Sequence, residues 1–96
     1  MGVFTILIVD DNSNNLAVLH YALNEAGYEV NVETDPRNVI DHVQSFPPDL
    51  ILLDVMMPYI NGFDICRQLK NNSLTASIPV IFMTALTNIN DNWSLD

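Results

Sequence analysis

Apolar residues crowd into four short runs along the chain, and between the runs they recur at helical spacing. VFTILIV, residues 3–9, is nearly continuous and stops at Asp10-Asp11-Asn12. Such a run without alternation predicts a strand covered on both faces. After Ser13, Leu16, Leu19 and Leu23 fall three and four residues apart, and Gly27 follows. This predicts an amphipathic helix closed by a glycine cap. In YEVNVET, residues 28–34, Val30 and Val32 alternate with polar neighbours, which predicts a more exposed strand near a sheet edge. Asp35-Pro36 supplies a cap and a first-turn proline for a second helix with Val39, Ile40 and Val43 inward, and Pro47-Pro48 breaks it. Residues 49–53 predict a third strand, again apolar on both faces, with Asp54 at its carboxyl end. Pro58 and Asn61-Gly62 turn the chain into a third helix over residues 62–70, with Ile65, Cys66 and Leu69 on one stripe. IPVIFMTA, residues 78–85, predicts a fourth strand, and Asn88 opens a further helix.

Strands alternating with helices at this spacing imply right-handed βαβ units, an α/β fold with one parallel sheet and helices on both faces. In such sheets sites form outside the carboxyl ends of the strands. Asp10 and Asp11 stand at the end of the first strand, Asp54 at the third, and Thr84 and Ala85 at the fourth.

Composition narrows the function. The 96 residues, 49% hydrophobic and 16% charged, suit one globular domain. Twelve acids against three bases give a net charge of −9. Direct nucleic-acid binding needs a basic face to displace counterions, so it is not expected. No apolar run approaches the roughly 18–20 residues of a membrane span, and no basic, cleavable leader opens the chain. A soluble, cytoplasmic protein with no membrane partner is the expectation. Cys66 has no disulfide partner in the chain and reads as packing, as do Tyr59 and Phe63. His20 and His42 lie in different helices with no matching partner, and Trp93 reads as an anchor for the terminal segment.

Three carboxylates in one crevice repel one another unless a cation compensates. Hard oxygen ligands with room for water suit Mg²⁺, and no Cys/His cluster argues for zinc. With Mg²⁺ holding a phosphoryl group, the central carboxylate, Asp54, could attack phosphorus to give an acyl phosphate. Thr84 is placed to donate a hydrogen bond to the arriving oxygens.

The stretches ILIVDDNSNNLAVL, PPDLILLDVMMPYINGFDICRQLK and IPVIFMTAL closely resemble the receiver domain of bacterial two-component response regulators, particularly those beside hybrid histidine kinases. The resemblance implies a flavodoxin-like (CheY-like) fold over practically the whole chain. It implies that Asp54 is the phosphoacceptor and that Asp10, Asp11, Asp54 and the Met56 carbonyl organise Mg²⁺. Thr84 matches the hydroxyl residue that turns toward the phosphoryl group, Ala85 adjoins it, and Met56 and Leu86 match the two variable positions flanking the site. The implied partner is a sensor histidine kinase or a phosphotransfer protein.

One departure stands out. The family's fifth strand ends in a Lys-Pro whose lysine pairs with the acceptor, and this sequence reaches Asp96 without one. The expectation is therefore a receiver domain over residues 1–96 that lacks the last strand and helix. It should phosphorylate and dephosphorylate itself only weakly, and should form a homodimer through the apolar edge at residues 79–83. Two rivals follow. A haloacid-dehalogenase-type phosphatase would need a second Asp two residues after the nucleophile, where Met56 stands. A receiver-shaped interaction or dimerisation module would no longer cycle phosphate.

Overall fold

The structure is a computed structural model, and it describes residues 2–83. The strand β1 (Thr5–Val9) leads to the helix α1 (Ser13–Glu25), and β2 (Glu29–Glu33) follows. A 3₁₀ turn over Pro36–Asn38 then runs into α2 (Val39–Ser45), and β3 (Leu50–Asp54), α3 (Gly62–Lys70) and β4 (Val80–Met83) complete the described chain. The sheet order is β2-β1-β3-β4 and every pairing is parallel.

The hydrophobic pattern explains this order. Ile6, Leu7, Ile8 and Val9 are all buried, because β1 lies inside the sheet with helices on both faces. β2 is an edge, as its alternation predicts, and Val32 is exposed there. On one face Leu7, Val9, Ile51 and Leu53 pack with Val39 and Val43 of α2 and with Ile65 and Leu69 of α3. On the other, Ile6 and Ile8 pack against Leu16 of α1, with Leu19 and Leu23 half-buried beside them.

The caps match their residues. Asn12 caps α1, its side chain accepting from the N–H groups of Asn14 (2.9 Å) and Asn15 (3.1 Å). Gly27 past the other end has φ of 100°, the left-handed region where a side chain would be strained. Asp35 caps the 3₁₀ turn rather than α2 itself, since Pro36 begins the tighter helix. Residues 3 and 4 stay outside β1, and Val3 and Phe4 are exposed. β3 takes in Asp54 as its last residue. Lys70, at the exposed end of α3, donates to the carbonyls of Ala76 (3.0 Å) and Ile78 (2.6 Å) and so ties down the turn before β4. Among the described residues no helix is long and apolar enough to cross a membrane.

Candidate functional site

Register builds the site. Val9 of β1 pairs with Leu53 of β3, so the next residue on each strand, Asp10 and Asp54, stand side by side at the carboxyl edge. Asp11 follows in the turn to α1. Carboxylate oxygens of Asp10, Asp11 and Asp54 come within 4.8 Å of one another. Asp10 and Asp54 are buried, 3% and 4% exposed, and Asp11 opens to solvent.

Each buried acid is held by named donors. Asp10 accepts the Asn12 N–H on Oδ1 (2.9 Å) and the Asn15 side-chain amide on Oδ2 (3.3 Å). Its own N–H donates to the Glu33 carbonyl of β2 (3.2 Å). Asp54 Oδ1 accepts the Met56 N–H (3.2 Å). That bond lowers the Asp54 pKa but loses to burial and the adjacent Asp10 charge, with hydrogen bonding to Asp10 and the Asp11 charge adding to them. The carboxyl is pushed up to about 6.

The loop after Asp54 is shaped by close approach. Gly62 N–H donates to the Val55 carbonyl (2.9 Å), and a Cβ on Gly62 would collide with the Asp54 carbonyl and stand 3.0 Å from the Val55 Cα. Only glycine lets the start of α3 lie against the acceptor strand. Asn61 caps that start, accepting the Asp64 N–H (3.0 Å).

The two buried acids and Asp11 thus come together as the sequence predicts. Met56 is beside them by its backbone, with its side chain exposed. Met83 pairs with Asp54, while Thr84, Ala85, Leu86 and Trp93 lie outside the described residues. Tyr59 is not packing: the residue is 76% exposed and its ring meets Arg37 instead. Phe63 is also largely exposed and touches Phe82 at a centroid distance of 4.8 Å. Sequence reasoning missed Asn15 and Gly62. The first could have been found one turn beyond the Asn12 cap, whereas nothing local reveals the approach at Gly62. A cavity of about 370 Å³ lined by Glu33, Asn38, Asp41, His42, Ser45 and Phe46 shares no residue with the acidic cluster.

An open carboxylate cluster at the edge of a parallel sheet suits a hard cation and a phosphoryl group better than a buried organic ligand. Comparison with known proteins places the chain in a family. The family described as the response regulator receiver domain matches residues 6–94, and the chain belongs to it. The response regulator PleD of Caulobacter vibrioides is 43% identical over 81 residues, covering 84% of this chain and 18% of that protein. The chain therefore spans only a small part of that relative. The N-terminal domain of a response regulator receiver protein from Methanoculleus marisnigri superposes with a TM-score of 0.83 at 29% identity, covering 94% of this chain and 76% of that one. The signal receiver domain of a signal transduction histidine kinase from Syntrophus aciditrophicus gives 0.80 at 35% identity, covering 92% of this chain and 67% of that one. The acidic cluster is accordingly a phosphoacceptor site of two-component signalling.

Proposed function

We propose that Asp54 is the phosphoacceptor, receiving its phosphoryl group from the phosphohistidine of a sensor histidine kinase or a phosphotransfer protein. An Asp54 carboxylate oxygen attacks phosphorus as the P–N bond to the donor imidazole breaks. The imidazole leaves with the bonding pair and takes a proton, and Asp54 becomes an acyl phosphate. The observation that carries the reading is the meeting of three carboxylates, two of them buried, around the end of β3.

The donor set fits Mg²⁺. Three acidic side chains with no thiol or imidazole among them form a hard-oxygen site, and Asp54, pushed up to about 6, needs a cation to be fully ionised at lower pH. Asp10, Asp11, Asp54 and the Met56 carbonyl would hold the ion, which supplies positive charge against the acceptor and phosphoryl oxygens. Met56 N–H orients Asp54, and Asn15 with Asn12 orients Asp10. Thr84 belongs to the same proposal as the hydroxyl donor to the phosphoryl group, with Ala85 beside it.

Self-catalysed transfer by this chain alone is slow in this reading. The chain has three bases in all. Arg37 pairs with Asp35 (3.0 Å), Arg67 with Asp64 (2.8 Å), and Lys70 binds the carbonyls of Ala76 and Ile78. Lacking one fixed cation against the transferring group costs on the order of 3 kcal/mol, about a hundredfold in rate. Incubation with acetyl phosphate and Mg²⁺, followed by mass spectrometry, tests the assignment. One hydroxylamine-labile phosphoryl group should form on Asp54 and be absent from Asp54→Asn. A label that persists in that variant would place the acceptor elsewhere.

A further inference from the structure

The loop between β3 and α3 contains a strained turn. Ile60 N–H donates to the Pro58 carbonyl (2.9 Å), closing a three-residue turn around Tyr59, whose φ is 74°. A γ-turn with positive φ at its centre is rare, and a bulky L-residue there crowds its Cβ against backbone oxygen. Tyr59 is the one non-glycine residue with positive φ among the described residues. Core packing does not hold it in place. Met57 and Ile60 on either side pack toward the core, while the Tyr59 ring is exposed.

Arg37 meets that ring from another loop. Its guanidinium carbon lies 4.2 Å from the Tyr59 ring centroid. The guanidinium is itself clamped: Nε donates to Asp35 Oδ1 (3.0 Å) and Nη2 to Asp35 Oδ2 (3.0 Å). Asp35 is tied back by its N–H to Glu33 Oε2 at the end of β2 (3.1 Å). A continuous series of contacts therefore runs from the β2 edge to the centre of the turn. A planar cation fixed by a fork is suited to stacking on an aromatic face.

We propose that Arg37 is a positioning residue for the acceptor loop, a latch that holds Tyr59 in the strained turn and thereby sets the path of Met56 beside Asp54. The consequence for the acceptor rests on the phosphoacceptor reading; the latch itself does not. With the guanidinium removed, the turn is free to relax toward negative φ, and the segment from Met56 to Ile60 samples more than one path. The contact is solvent-exposed on both sides, so its effect is modest and graded, and salt weakens it.

NMR on the whole chain, with Mg²⁺ titrations, tests the latch. In the wild type the Arg37 side-chain protons should be shifted upfield by the Tyr59 ring. Arg37→Ala should broaden or shift the amides of residues 56–60 and weaken Mg²⁺ binding by about two- to fivefold, the scale of an exposed cation–π contact. Tyr59→Phe should keep both readouts near wild type, and Arg37→Lys should keep them in part, because an ammonium can face the ring but cannot fork onto Asp35. Tyr59→Gly removes ring and strain together, so adding Arg37→Ala to it should change nothing further. Loop amides indifferent to Arg37→Ala, or an equal effect of that change in the Tyr59→Gly background, would overturn the latch. If the wild type binds no Mg²⁺, the metal reading fails, and the ring-current shifts and loop amides still decide whether Arg37 holds the turn.

Discussion

Ionised Asp54 is unfavourable in the metal-free fold, because burial and the charge of Asp10 both oppose it. A carboxyl whose pKa rises on folding contributes stability that is fully present below the unfolded value of 3.8 and is lost as pH rises through about 6. Two pKa units correspond to about 3 kcal/mol, and solvent at the rim of the sheet reduces this to roughly 1–2 kcal/mol. In EDTA, Asp54→Asn should therefore be more stable than wild type by that amount at pH 7.5 and equal to it near pH 3.5, as read by urea unfolding. The same substitution should weaken Mg²⁺ binding, since it removes the ligand whose charge the ion offsets. A variant less stable than wild type in EDTA at pH 7.5 would mean that Asp54 is already comfortably ionised.

At the scale of elements, the site depends on how two helices begin. Asn12 caps α1 through its side chain while its backbone N–H holds Asp10, so Asn12→Ala should cost about 1 kcal/mol through the lost cap and leave the bond to the first acid in place. Thermal melts read the cost, and an unchanged Asp10 carboxyl resonance reads the bond that stays. At α3 the limit is steric. Gly62→Ala drives a Cβ into the backbone at Asp54 and Val55, which cannot give way as a flexible side chain could. The expected loss is about 2–3 kcal/mol, the scale of overpacking. Acetyl phosphate labelling of Asp54 should fall more steeply than stability alone requires, because the acceptor strand itself must shift. Normal labelling in a fully folded Gly62→Ala protein would refute that coupling.

For the whole molecule, β4 forms the second edge of the sheet among the described residues, and Ile81 and Phe82 on it are 51% and 40% exposed. Edge strands with apolar side chains recruit partners. We expect a homodimer formed through this edge. The net charge of −9 opposes close approach, so the dimer should strengthen as salt rises. Sedimentation at micromolar concentration checks this. Dissociation on replacing Ile81 by Lys supports pairing at β4, and a wild-type monomer at all concentrations and salts removes it.

The amino-acid sequence by itself determined the alternation of strands and helices, because buried parallel strands must be apolar throughout while their covering helices need only a stripe. It also determined which acids end β1 and β3, and the motifs around them were enough to suggest a receiver. The span of α3 was legible in full from Asn61-Gly62 and its apolar stripe. Strand ends were less so: Asp54 closes β3 inside the sheet because pairing with Met83 continues one residue past the apolar run. Other features arise only when distant segments meet. The high pKa of Asp54 comes first from its burial at the end of β3 and then from the β1–β3 register, which sets Asp10 beside it. The need for glycine at position 62 and the stacking of Arg37 on Tyr59 join residues whose local sequence carries no sign of the contact. Tertiary structure decided these, because distances, burial and charge proximity across the sheet belong to the packed chain and to no single stretch of it.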